Sequence, residues 1–161
     1  MGNTSSQQDG LLNESQPACS DEVVLEALKK IEDVDVDYAL ARFSGVAEIY
    51  VEIVEYVVKK LKPDCEKLTV FLADGNMKSF EISVHTLKSS LAQAGIMELS
   101  KTAAKFETSA RNKDFDFCHK EFPVFKEKLI KLYEEISPVF PNAQSYVEEN
   151  FDIGSSQHLE I

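Results

Sequence analysis

Between Ala47 and Leu72 the chain places an apolar residue at alternating intervals of four and three positions, without interruption. The stripe consists of Ala47, Val51, Val54, Val58, Leu61, Cys65, Leu68 and Leu72. This spacing is typical of a helix that packs lengthwise against other helices. Pro63 falls inside the stripe, but the register continues beyond it, so we predict one long helix with a kink at the proline.

Three further segments show the same alternation and are predicted to be long helices, at residues 77–94, 96–110 and 118–136. Pro123 is predicted to kink the last of them or to mark a restart. Two shorter helices are predicted at 20–31 and 35–44. Because short connections make consecutive helices antiparallel, the predicted fold is all-α: an antiparallel up-down-up-down four-helix bundle with short additional N-terminal helices.

The length of 161 residues favours a single domain with a sizeable core, flanked by tails. Residues 1–19 are polar and lack periodicity, so we predict a polar linker or a disordered tail. Their first six residues, MGNTSS, also satisfy the loose pattern for N-myristoylation, although a linker is the preferred interpretation. Residues 20–137 are predicted to form the bundle, and residues 138–161 an acidic C-terminal tail.

The charge and cysteine content exclude several classes of protein. The net charge is −11, and nothing resembles the basic stripe that nucleic-acid binding requires. No apolar run is long enough to span a membrane, so no membrane association is expected. The three cysteines are far apart in sequence, without the close pairs of a zinc site or a disulfide framework. We therefore expect a reduced, cytoplasmic protein. We also expect it to be a monomer.

The segment 84–95, VHTLKSSLAQAG, is where the chain offers a site for chemistry. On a helix, His85, Lys88, Ser89 and Ala92 share one strip, which is expected to face water, while Val84, Leu87, Leu91 and Ala94 share another that faces the core. An exposed imidazole is a good nucleophile near neutral pH, because the ordinary pKa of histidine is about 6.5. A neighbouring lysine would hold the charge of a phosphoryl group on that ring.

The other two histidines have no comparable surroundings. His119 is expected to have a surface role, and His158 to be exposed in the C-terminal tail. Glu81, one turn before His85, could accept a hydrogen bond from the second ring nitrogen and fix the tautomer, although a glutamate at this spacing is more often a solvated partner of a neighbouring lysine.

The sequence resembles a histidine-containing phosphotransfer (HPt) domain of multistep two-component phosphorelays, over roughly residues 30–137. The resemblance rests on HTLKSS at 85–90 followed by AG at 94–95, which fits the pattern of His, any residue, Leu, Lys and two small residues, with Gly ten positions after the His. The segments DYALARFSG at 37–45 and FLADGN at 71–76 are similar to the entry into the family's bundle and to the turn before its histidine. Leu99, Ala103, Phe106 and Glu107 resemble the helix that follows.

This resemblance implies that His85 is the phosphoacceptor and that Lys88 stabilises the phosphoryl oxygens. It implies response-regulator receiver domains and a hybrid histidine kinase as partners, with Glu81, Ser89 and Ala92 in the contact surface. Ser89 departs from the family, where glycine is frequent, and bears on the fit of a particular receiver. The implied activity is that of a phosphotransfer intermediate, not an enzyme with its own ATP site, and Mg²⁺ is expected in the receiver, with no cofactor in this chain.

A different function remains open from the sequence. A helical-bundle interaction module that binds a receiver or another signalling protein without carrying phosphate would keep the apolar stripes and would not need His85 or Lys88. Di-metal or haem chemistry inside the bundle is disfavoured, because the Glu-x-x-His pairs that it requires on facing helices are missing.

Overall fold

Helices make up most of residues 20–143, the part of the chain that the computed structural model describes, and no strand occurs within that range. The helices are α1 (Asp21–Lys29), α2 (Val36–Arg42), α3 (Ala47–Asp74), α4 (Met77–Gln93), α5 (Met97–Arg111) and α6 (Phe115–Ile136), followed by a 3-10 turn at Ser137–Val139. The all-α prediction is confirmed. The predictions for residues 1–19 and 144–161 lie outside the described residues.

Four of the helices begin at a side chain that accepts a hydrogen bond from the backbone N–H three positions later. These side chains belong to Ser20, Asp35, Asn76 and Asp114, with donor–acceptor distances of 3.1–3.3 Å. Each one satisfies an N–H group that the first helical turn would leave unpaired. The polar residues that precede the apolar stripes therefore help to fix where these four helices begin.

The two prolines inside the long helices do not divide them. α3 continues through Pro63, as its unbroken apolar register predicted, and α6 continues through Pro123 without a restart. A proline within a helix forfeits one backbone hydrogen bond, a cost that packing along the whole length of the helix offsets.

The core lies between the four long helices. α4 contacts α3 and α5, α6 contacts the same two helices, and α1 packs on α3. Four phenylalanine rings, Phe80, Phe106, Phe122 and Phe125, meet where α4, α5 and α6 converge, with centroids 5.0–6.4 Å apart. Aromatic pairs at these distances add to the energy of burial. Among residues 20–143, none of the helices combines the length and the apolar character that crossing a bilayer requires.

The buried core extends beyond the predicted end of the bundle at residue 137. Phe140 is 6% exposed and Ala143 is fully buried, so the first residues of the expected acidic tail pack against the helices. The 3-10 turn that precedes them contacts both α1 and α6. This contact joins the two ends of the described chain.

Candidate functional site

The two faces of α4 differ as the spacing of its residues predicted. Val84, Leu87 and Leu91 are at most 2% exposed, whereas 59% of the His85 side chain is open to solvent. Ser89, one turn later, is also exposed. Lys88 is less exposed than expected for this strip, since only 33% of its side chain is open to solvent. Ala92 is likewise half-buried, since α5 packs along this edge of α4.

A carboxylate from α5 lies beneath the histidine. Glu107 Oε2 is 2.6 Å from His85 Nδ1, and Glu107 Oε1 is 2.7 Å from Lys88 Nζ. The Glu107 side chain is only 6% exposed, so these contacts form away from bulk water. One acidic group thereby positions both the imidazole and the ammonium group of the predicted site.

Burial alone would raise the pKa of Glu107. Hydrogen bonds from Lys88 and His85, together with the charges of both, outweigh burial and lower that pKa to about 2. Glu107 is therefore ionised at neutral pH and can only accept hydrogen bonds. This assigns the hydrogen of a neutral His85 ring to Nδ1 and the lone pair to Nε2. No hydrogen-bond partner of Nε2 lies within residues 20–143.

Glu81 does not fix the histidine tautomer; it pairs with a cation, as the preferred interpretation had it, although that cation is an arginine and not a lysine. Glu81 Oε2 instead accepts a hydrogen bond from Arg111 Nε at 3.1 Å, and Glu107 is the carboxylate at His85 Nδ1. The physical reason is that α5 presents both partners at this edge of α4. Arg111 draws Glu81 into an ion pair, and Glu107 lies directly against the ring.

Glu107 was placed by sequence only as part of the helix that follows the histidine, without a role. A sequence signal was available, because Glu107 lies four positions after Ala103 and three before Ala110, within the apolar stripe of α5. A carboxylate within the apolar stripe of an amphipathic helix requires a partner on a neighbouring element. Arg111, four residues after Glu107 on the same face, was not singled out either.

Backbone carbonyl groups hold the second half of α4 in place. Ser100 Oγ donates to the carbonyl oxygen of Lys88 at 2.8 Å, and the buried Tyr50 hydroxyl donates to that of Ala94 at 2.7 Å. The backbone N–H of Asp35 donates to the carbonyl oxygen of Gly95 at 2.9 Å. These contacts from α5, α3 and the start of α2 fix the helix that carries His85.

The other candidate residues lie elsewhere. The His119 ring is exposed, and its nitrogens are 3.0 and 3.3 Å from the backbone carbonyl oxygens of Phe115 and Leu72, a surface role as predicted. Cys65 and Cys118 are buried free thiols. The expectations for Cys19 and His158 concern residues outside the described range.

Comparisons of the chain with protein-family models, with curated proteins and with solved structures find no match. Support for a function therefore comes from the geometry around His85.

Protonation of Glu107 is expected to destabilise the fold at low pH. Its folded-state pKa lies below the ordinary value of 4.5, so its stabilising effect is complete above that pH and is lost as the pH falls toward 2. The shift corresponds to about 3 kcal/mol. In Glu107→Gln, the loss of unfolding free energy between pH 5 and pH 2 should be smaller than in the wild type by up to that amount, as measured by urea denaturation.

Glu98→Gln provides the matched control for this experiment. Glu98 lies on the same helix and pairs with Lys101, but its side chain is 80% exposed. Its removal should leave the dependence of stability on pH close to that of the wild type. A Glu107→Gln variant that lost stability as steeply as the wild type would contradict the ionised, desolvated state assigned to Glu107.

Proposed function

We propose that this protein is a phosphocarrier of the HPt type, in which His85 accepts a phosphoryl group from the aspartyl phosphate of one receiver domain and passes it to the aspartate of another. The observation that carries the proposal is the asymmetry of the His85 ring. Nδ1 is 2.6 Å from a buried carboxylate, while most of the side chain is exposed. This arrangement presents Nε2, with its lone pair, to an incoming partner.

The transfer step needs no leaving proton on this chain. As Nε2 attacks phosphorus, the nitrogen–phosphorus bond forms and the bond between phosphorus and the aspartate oxygen breaks, so the aspartate leaves as a carboxylate. The imidazole ring thereby gains positive charge. Glu107, hydrogen-bonded at Nδ1, stabilises that charge in a desolvated position where the interaction is strong. The return to a second receiver is the same step in reverse.

Lys88 is the group proposed to hold the phosphoryl oxygens. Its ammonium group has three donors, of which the bond to Glu107 at 2.7 Å engages one. The side chain is 33% exposed, so the remaining donors can turn toward a phosphoryl group on Nε2. A lysine suits this role because its charge is mobile and compact.

The scaffold proposed for this site is the antiparallel up-down-up-down four-helix bundle formed by α3–α6. Its support is the pattern of contacts, in which α3 and α5 each touch both α4 and α6. The connections are short, only two residues between α3 and α4 and three between the other consecutive pairs. Consecutive helices joined by such short connections pack antiparallel to one another.

Receiver domains are proposed to dock on the exposed side of α4. Ser89 is small and exposed on this side, and the half-buried Ala92 is a second small residue at its edge, so a partner can approach the ring; Ile82 is a large apolar residue that is 56% exposed. Mg²⁺ and the acceptor aspartate would come from the receiver, and a hybrid histidine kinase would supply the phosphoryl group at the start of the relay. We propose that the carrier acts as a cytoplasmic monomer without an ATP site.

Labelling by a phosphorylated receiver tests this function. A panel of receiver domains charged with ³²P-acetyl phosphate is incubated with the protein, and labelled chain is digested with trypsin. We expect label on peptide 79–88, SFEISVHTLK, in which His85 is the one histidine. The label should be lost in acid and retained in alkali, as expected of a nitrogen–phosphorus bond and not of a serine or threonine ester.

Potassium phosphoramidate is used in parallel as a small donor that needs no receiver. Label from both donors on peptide 79–88 supports the carrier. A receiver panel that binds the protein but labels nothing, together with no reaction with phosphoramidate, would favour the interaction module over the carrier. Label confined to peptide 114–120, which holds His119, would also overturn the assignment.

A further inference from the structure

Arg111 links the two carboxylates that flank the histidine site. Its Nη2 donates to Glu107 Oε2 at 2.8 Å, and its Nε donates to Glu81 Oε2 at 3.1 Å. Glu107 lies one turn before it on α5, whereas Glu81 lies across on α4, one turn before His85. The guanidinium group is thus held at two points, and its side chain remains 60% exposed.

Glu107 carries one negative charge but has two cationic neighbours, Lys88 and Arg111, in addition to the His85 ring. Its two oxygens accept hydrogen bonds from His85, Lys88 and Arg111. A carboxylate that is only 6% exposed must keep a counter-charge, because an uncompensated buried charge is costly. Either cation can supply that counter-charge. One of the two is therefore available for another task.

The two cations differ in their freedom to leave. Arg111 is tied to Glu81 as well as to Glu107, and its planar group fits two carboxylates at once. Within residues 20–143, Lys88 has Glu107 as its one side-chain partner, reached through a flexible stem next to the His85 ring. Lys88 is thus the cation that can turn toward a phosphoryl group at the smaller cost.

We infer that Arg111 is a positioning residue that compensates the charge of Glu107 and thereby frees Lys88 for the phosphoryl group on His85. This inference rests on the proposed function, since it concerns the role of Lys88 in that reaction. Without Arg111, and before the His85 ring gains positive charge, Lys88 is the sole cation on a desolvated carboxylate and is held there as the reaction begins. The phosphoryl group then receives less of the stabilising charge of Lys88, even though His85 and Lys88 are intact.

The rate of reaction with phosphoramidate tests the inference without a receiver. Nε2 of His85 forms the bond to phosphorus as the nitrogen–phosphorus bond of the donor breaks and ammonia leaves. At about pH 8, where an ordinary imidazole is neutral, Arg111→Gln should slow this step by about tenfold. Arg111→Lys, which keeps the charge, should recover most of the rate.

Lys101→Gln is the matched control on the same helix. Lys101 also pairs with a glutamate, Glu98, three residues before it, but both side chains are largely exposed. The Lys101→Gln substitution also removes one positive charge, but at a position outside the site, so this variant should react at the wild-type rate. Circular dichroism of each variant verifies that the helices are retained.

The decisive comparison repeats Arg111→Gln in the Glu107→Gln background. Once position 107 is neutral, it no longer holds Lys88, so the loss of Arg111 should change the rate by less than about twofold. If Arg111 instead touched the phosphoryl group, Arg111→Gln would slow the reaction equally in both backgrounds, and the inference would be wrong.

Failure of the inference is distinguishable from failure of the proposed function. If the wild type takes no acid-labile label at His85, the proposed function fails, and the inference with it. If the wild type is labelled and Arg111→Gln reacts like Lys101→Gln, the carrier stands and only the role of Arg111 is rejected. Recovery by Arg111→Lys separates the effect of charge from that of the guanidinium shape.

Discussion

Replacing His85 with glutamine is expected to abolish phosphoryl transfer to this protein while leaving its melting temperature within about 2 °C of the wild type. An amide nitrogen is not a nucleophile at neutral pH, so no bond to phosphorus can form. The amide can still donate to Glu107 in place of Nδ1, and the replaced ring is 59% exposed. Label from a charged receiver and thermal unfolding followed by circular dichroism measure the two effects.

His119→Gln is the control for a nonspecific loss of histidine. The His119 ring is exposed and contacts the backbone carbonyl oxygens of Phe115 on α6 and Leu72 on α3, with no contact to His85. This variant should take up label at the wild-type level. Full labelling of His85→Gln would remove His85 from the mechanism. A fall in its melting temperature of more than about 8 °C would mean that the ring is a structural element of the α4–α5 contact.

The periodicity of α4 was enough to predict which residues of that helix meet the core. Burial of Val84, Leu87 and Leu91 follows from the helical repeat, because the hydrophobic effect acts on a whole face of a helix. The exposure of His85 follows from the same repeat. Burial along one helix can be predicted in this way because the residues of the pattern and the helix that they form belong to one continuous segment of the sequence.

The charged cluster around His85 could not be predicted in this way. Glu107 reaches the ring from another helix, 22 residues later in the sequence, and which of several carboxylates does so depends on how α4 and α5 are aligned. Glu81 was the nearer choice along the chain. Glu81 instead pairs with Arg111, which lies on α5. The spacing of residues within one helix does not reveal such a pairing between two helices.

Just after the end of α4, Gly95 occupies a position where a larger side chain would not fit. Its φ angle of +88° is one that residues with a Cβ rarely adopt. A Cβ at this position would also lie 2.6 Å from the carbonyl oxygen of Asp35 and 3.1 Å from the Cβ of Ala39. The connection after α4 thus passes so close to the start of α2 that a hydrogen atom is the one side chain that fits.

Gly95→Ala is therefore expected to lower the free energy of unfolding by about 3 kcal/mol, from the strained φ angle and the forced displacement together. This corresponds to a fall in melting temperature of about 10 °C. Gly75→Ala separates the two contributions, since Gly75 has a φ of +73° but open space around its Cβ position. That control should lose only about 1 kcal/mol. Equal losses in the two variants would show that the approach of Asp35 to Gly95 does not constrain the end of α4.

If the larger loss occurs, Gly95→Ala should still be labelled on His85 at temperatures well below its melting temperature. The strain affects the position of the helix end and not the chemistry of the ring.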